Sequence, residues 1–91
     1  MRRVIWTEPA VADLIAIRVY IGQFNPTAAA RFVARLVEAA DSLADFAERG
    51  RPRPHGGREL AALPPYLIRY RIAGDRVFIL RIRHGAQRPE A

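Results

Sequence analysis

Two histidines, fifteen arginines and a complete lack of lysine and cysteine bound the chemistry open to this chain of 91 residues. Near neutral pH only an imidazole readily gains and loses a proton, so His55 and His84 are the candidates for acid–base work. His84 follows Arg81 and Arg83 at the end of one alternating run, and Arg58 and Glu59 open an earlier one. Together Arg58, Glu59, Arg81 and His84 could supply a base, an acid and a phosphate clamp, the set that cleaves RNA through its 2′-hydroxyl. The competing reading is plain: a histidine ending a strand commonly does no more than hydrogen-bond its neighbours, and His55 sits in a Pro/Gly loop that reads as solvated. Without cysteine there is no thiolate nucleophile, no disulfide frame and no thiolate metal site, and two histidines 29 positions apart do not make a zinc site. Gly56-Gly57 lacks the flanking pattern of a phosphate loop. No cofactor and no metal are implied.

The arginines are a second kind of chemistry. Guanidinium forks pair bidentately with carboxylates and phosphates and keep their proton. A formal net charge of +6 therefore favours anionic partners.

These groups need elements to hold them. From Tyr66 to Gly85 two alternating runs are joined at Gly74-Asp75, which predicts a β-hairpin. Alternation puts Tyr66, Ile68, Tyr70, Ile72, Phe78, Leu80 and Ile82 on a core face. Leu67, Arg69, Arg71, Val77, Ile79, Arg81 and Arg83 fall on the other, which is apolar in the middle and edged by arginine, suited to an extended acidic peptide or a phosphate. Upstream, Arg2 to Trp6 is a short β-type run, and Thr7-Glu8-Pro9 supplies a hydroxyl cap, an acid in the first turn and a proline where no N–H is needed. A first helix follows, with Ala10, Leu14, Ile17, Ile21 and Phe24 as its buried stripe and Tyr20 on the flank. Asn25-Pro26 closes it and opens a second helix, whose stripe of Ala29, Phe32, Val33, Leu36, Ala40, Leu43 and Ala47 runs to a stop at Gly50. Residues 50–57 read as loop and Arg58 to Leu63 as a strand before Pro64-Pro65. The order is β-α-α-β-β-β, an α+β fold with a helical hairpin on one face of a mainly antiparallel sheet.

Length and hydropathy narrow the class. The chain is expected to form one domain over residues 1–91, and 51% hydrophobic residues suffice for a core. Glu8, Pro9 and Asp13 interrupt any signal-peptide core, and no apolar run approaches the ~20 residues that cross a bilayer. A cytoplasmic protein without a membrane partner is expected.

The succession of residues is itself informative. Trp6-Thr7-Glu8, Asp13-Leu14 with Ile17 and Tyr20-Ile21, Asn25-Pro26 with Ala28-Ala29 and Arg31-Phe32, Gly50-Arg51-Pro52, Arg58-Glu59-Leu60, Pro65-Tyr66, Ile68 with Tyr70-Arg71, and Arg83-His84-Gly85-Ala86 with Arg88 resemble the ParE branch of the ParE/RelE toxin superfamily. The resemblance spans nearly the whole chain and implies the same β-α-α-β-β-β fold. It also implies the toxin of a bacterial toxin–antitoxin pair, neutralised by a ParD-like antitoxin with an acidic, partly disordered tail.

The superfamily holds two functions. RelE-type members are ribosome-dependent mRNA endonucleases with basic side chains on the central strands and a tyrosine, or a histidine-tyrosine pair, near the C-terminus. Here Gly85 follows His84, no tyrosine follows before Ala91, and Leu67 takes a place where the nucleases often carry arginine. ParE-type members instead bind DNA gyrase and trap its cleaved-DNA state. The resemblance thus implies a non-enzymatic gyrase inhibitor that does not itself bind a specific DNA sequence, with an RelE-type nuclease as the alternative. On this reading Leu67, Arg69, Arg71, Val77, Ile79, Arg81 and Arg83 receive the antitoxin tail, Ile17, Tyr20 and Phe24 rim a groove for an antitoxin helix, and His84, Gln87 and Arg88 meet the target.

Overall fold

A computed structural model describes residues 1–54 and 56–85. The chain runs β1 (Arg3–Trp6), α1 (Glu8–Gly22), α2 (Pro26–Asp41), two 3₁₀ turns (Ser42–Ala44 and Ala47–Arg49), β2 (Arg51–Pro52), β3 (Arg58–Leu63), β4 (Tyr66–Ala73) and β5 (Arg76–His84). The strands form one sheet in the order β1-β5-β4-β3-β2, with β1 parallel to β5 and the other pairs antiparallel. This is the expected α+β arrangement with one addition: the predicted loop contains the short edge strand β2.

Local chemistry sets the helix ends. Thr7 is extended, its hydroxyl oxygen accepts from the Ala10 N–H at 3.4 Å, and its hydroxyl donates to the Ile79 carbonyl at 2.8 Å. One side chain thus ends β1 and begins α1. Asn25 does the same for α2, its Oδ1 accepting from the Ala28 N–H at 3.0 Å. The second helix is shorter than its stripe suggests. Ser42 donates to the Ala39 carbonyl at 2.7 Å and accepts from Arg49 at 2.6 Å, and the backbone tightens into 3₁₀ turns that still bury Leu43 and Ala47.

Hydrophobic burial joins Ala10, Ile17, Leu36, Ala40, Leu43, Leu60, Ile68, Tyr70, Val77, Ile79 and Ile82 into one core between the helices and the sheet. In it, the Tyr70 hydroxyl donates to the Ala47 carbonyl at 2.6 Å and accepts from the Gly50 N–H at 2.8 Å. Burial raises the pKa of this phenol, which keeps the proton on the bridge.

The hairpin register corrects the expected faces. The turn Gly74-Asp75, with Gly74 at φ +60°, places Ala73 opposite Arg76 and so Ile72 opposite Val77 and Tyr70 opposite Ile79. A bulge then leaves Leu80 without a partner, so that Arg69 faces Arg81 and Ile68 faces Ile82. Val77 and Ile79 are therefore fully buried core residues and cannot receive a partner's side chains. Phe78 and Leu80, expected inside, are only half-buried and replace them on the outer face.

Candidate interaction site

Where β1 ends, the edge of β5 is covered by α1. Asp13, one turn into that helix, turns its carboxylate onto this edge: Oδ2 accepts from Arg81 Nε at 2.7 Å and from the Ile82 N–H at 2.9 Å, and Oδ1 from Arg81 Nη2 at 3.1 Å. Burial alone would raise the pKa of Asp13, but the hydrogen bonds from Arg81 and the Ile82 N–H, with the charges of Arg81 and Arg83, outweigh it and hold the carboxyl below its ordinary 3.8. A depressed pKa means that the stabilisation is fully present above pH 3.8 and fades as pH falls through the lower folded value. Asp13→Asn should accordingly melt below the parent near pH 6, with the gap closing towards pH 2.5. A gap that stays constant over that range in thermal melts would contradict this role.

Beside the ion pair lies a cleft of about 380 Å³ lined by Asp13, Ala16, Ile17 and Tyr20 of α1 and by Tyr66, Arg81, Ile82, Arg83 and His84 of the hairpin. Its walls are aromatic. Tyr20 meets Phe24 edge-on at 5.7 Å, and Tyr66 meets His84 at 5.2 Å and Phe32 of α2 at 5.4 Å.

The four residues of the hypothetical nuclease are not gathered there. Arg58 and Glu59 are successive residues of β3 and so project from opposite faces. Arg58 donates to the carbonyls of Gly50 at 2.7 Å and Glu48 at 3.2 Å, whereas Glu59 is paired with Arg53 at 2.8 Å. Glu59 is opposite Arg69, the neighbour of buried Ile68 and Tyr70, and thus belongs to the outer face. His84 is opposite Tyr66, which packs on α2, and thus belongs to the helix face. The sheet separates the would-be acid from the would-be base. Among the described residues no group of three His, Asp or Glu side chains could hold a metal ion.

Two further surfaces stand out. On the outer face, Ile5 is opposite Phe78, and these two with Leu67 and Leu80 form a half-buried apolar strip beside Arg69 and Arg71. On α1, Ala10 and Ile17 are buried and Leu14 and Ile21 pack on the core, but Phe24 lies beyond the helix and is 75% exposed, and Tyr20 is 60% exposed. Ile17 is thus core, yet with Tyr20 it lines the cleft, whereas Phe24 stands outside that lining. The face of α1 turned away from the core carries Val11, Ile15 and Val19, at 41, 59 and 61% exposure. Their four-residue spacing is a signal that sequence reasoning passed over in favour of the other stripe. An apolar helix face left in water marks a place where something else packs. Gln87 and Arg88, expected at the target, and His55 lie outside the described residues.

A family model described as the ParE toxin of the type II toxin–antitoxin system parDE matches residues 4–89. The chain is 56% identical over 87 residues to Toxin RelE2 of Caulobacter vibrioides, covering 96% of this chain and 99% of that one. It is 44% identical over 88 residues to the Putative toxin Y4kP of Sinorhizobium fredii, covering 94% and 91%. A solved chain from a structure described as the chromosomal ParDE TA system from P. aeruginosa superposes with a TM-score of 0.79 at 34% identity, covering 92% of this chain and 96% of that one. With helices on one face of a five-stranded sheet and a match along nearly its whole length, the chain belongs to the ParE toxin family of type II toxin–antitoxin systems. It is the toxin half of such a pair, and its partner is an antitoxin.

Proposed function

We propose that this toxin acts by binding, poisoning DNA gyrase in the cytoplasm without chemistry of its own, and that a ParD-like antitoxin neutralises it by covering α1 and the arginine-edged sheet. The observation that carries the reading is the division of the nuclease set: Glu59 and His84 project from opposite faces, and Arg58, Glu59 and Arg81 each hold a structural partner. General acid–base catalysis needs both groups within hydrogen-bond reach of one substrate. Gyrase as the target rests on the resemblance to the ParE branch. No helix among the described residues is long and apolar enough to cross a membrane. The alternative, a ribosome-dependent mRNA endonuclease of RelE type, draws on the name Toxin RelE2 borne by a relative.

His84→Gln tests the choice. A proton-transfer role is worth ~10² to 10⁴-fold in rate, so a nuclease dependent on His84 loses its toxicity with this change. A binder keeps it. We expect growth arrest on induction of His84→Gln to match that of the parent at equal expression; survival of the induced cells would favour the nuclease.

A further inference from the structure

The charges of this chain are sorted by layer. Among the described residues six of the eight carboxylates, Glu8, Asp13, Glu38, Asp41, Asp45 and Glu48, belong to the helices, the 3₁₀ turns and their connections. The outer face of the sheet has a different composition. Arg3 and Arg76 stand opposite each other next to inward Val4 and Val77, and Arg69 and Arg71 alternate with buried Ile68 and Tyr70. Arg51 stands opposite Glu59, and Arg83 opposite Leu67. Of the carboxylates there, Glu59 is engaged by Arg53 at 2.8 Å and Asp75 lies at the turn, 3.9 Å from Arg76. Arg69 and Arg71 form no ion pair among the described residues.

These arginines make a track. Arg76, Arg71, Arg69 and Arg83 occupy four successive rows of the hairpin, and at about 3.3 Å per residue the track is about 20 Å long, about six steps of a nucleic-acid strand at 3.4 Å each. Such a face attracts a polyanion of regularly repeated charge. The strands β3 and β4 are interior, with their main-chain groups spent on their neighbours, so an extended peptide laid across them adds no strand of its own. A single-stranded nucleic acid is held by rings on which its bases stack, and Phe78, half-buried, is the one ring this face carries among the described residues. Duplex DNA asks only for cations along its backbone.

We propose that the outer face of the sheet, with Arg69 and Arg71 at its centre, is a binding site for the backbone of duplex DNA, and, on the reading of gyrase as the target, that the toxin grips the DNA segment gyrase works on as well as the enzyme. Guanidinium forks meet phosphate oxygens bidentately and read no base, so the grip is indifferent to sequence. It involves no chemical step: the toxin ties the DNA to the enzyme and slows its departure.

The test is fluorescence anisotropy of a labelled, mixed-sequence DNA duplex titrated with the full-length toxin at several salt concentrations, without gyrase. Each phosphate neutralised contributes about −0.9 to the slope of log affinity against log salt. Arg69→Ala with Arg71→Ala is expected to weaken binding at least tenfold at low salt and to take about 2 from that slope. Arg3→Ala with Arg71→Ala, two exposed side chains whose loss leaves the core untouched, should act in the same direction. Arg31→Ala with Arg35→Ala, the same charge change at exposed positions of α2, is the control and should stay within twofold of the parent. A parent that does not bind the duplex, or a sheet variant that loses no more than the control, overturns the proposal. So does tighter binding of single-stranded DNA or RNA of the same length. In a gyrase cleavage reaction Arg69→Ala with Arg71→Ala is expected to trap less cleaved plasmid, and undiminished trapping by a variant that has lost its DNA affinity would also overturn it. A parent that binds the duplex but leaves gyrase unaffected upholds the site and refutes the gyrase reading instead.

Discussion

Replacing Ile15 and Val19 together with glutamate is expected to weaken the antitoxin complex by roughly 100-fold or more while leaving the free toxin folded. Both side chains lie on the face of α1 turned away from the core and are more than half exposed. The folded toxin therefore gives up little when they change, and glutamate has at least as good a helix propensity as isoleucine or valine. In the complex the balance differs. Fully burying one such side chain is worth about 1.5 to 3 kcal/mol. Losing two, and forcing two carboxylates into the contact, exceeds the ~2.8 kcal/mol that corresponds to 100-fold in affinity. Circular dichroism melts and a displacement titration measure the two halves of this expectation. An unchanged affinity would mean that the antitoxin leaves this face bare, and a collapsed melt would mean that the face is part of the folded core after all.

The second large effect concerns stability. Tyr70→Phe is expected to lower the melting temperature by about 10 °C or more. Its hydroxyl bridges the Ala47 carbonyl and the Gly50 N–H, and both bonds are buried. Leaving a buried donor and acceptor unpaired costs about 1 to 3 kcal/mol each, and 1 kcal/mol corresponds to roughly 4 to 8 °C in a domain of this size. Gly50→Ala should be comparably harmful for a steric reason. A Cβ there would stand 2.5 Å from the Tyr70 oxygen and 2.7 and 2.9 Å from its ring carbons. The tyrosine is held on all sides in the core and has nowhere to retreat, and overpacking of this kind costs about 1 to 3 kcal/mol. Since both changes break the same bridge, the double variant should melt above the temperature that simple addition gives. Strict additivity would show that Gly50 and Tyr70 do not act as a unit.

Much of the scaffold could be read before any coordinates. Alternation marks β4 and β5, three- and four-residue spacing marks α1 and α2, and Thr7, Asn25, Pro9 and Pro26 mark where the helices begin, because each of these signals is local. What alternation could not carry is parity. The bulge at Leu80 reverses which residues of β5 face inwards, and around it the β5 backbone is tied to Thr7 and Asp13, side chains about 70 residues earlier in the chain. For that reason strict alternation puts Val77 and Ile79, both fully buried, on the wrong face. The early end of α2 likewise depends on Ser42 meeting Arg49 across a turn.

The site was legible in part. Arg81, Arg83, Tyr20 and His84 do line one cleft, yet nothing in their spacing revealed that Asp13 engages Arg81. The outer face of α1 was hidden for a different reason. This helix is apolar on nearly every side, with Glu8, Asp13 and Arg18 as its charges, so periodicity offers two stripes and does not say which one meets the core.

The most direct test of the whole account uses purified toxin, DNA gyrase and plasmid in a supercoiling reaction quenched with detergent and protease, run beside a ribosome-dependent mRNA cleavage reaction. Gyrase poisoning predicts loss of supercoiling and accumulation of linear, gyrase-cleaved plasmid, reversed by the antitoxin, with mRNA left whole. Intact supercoiling together with codon-positioned cuts in the mRNA would contradict it.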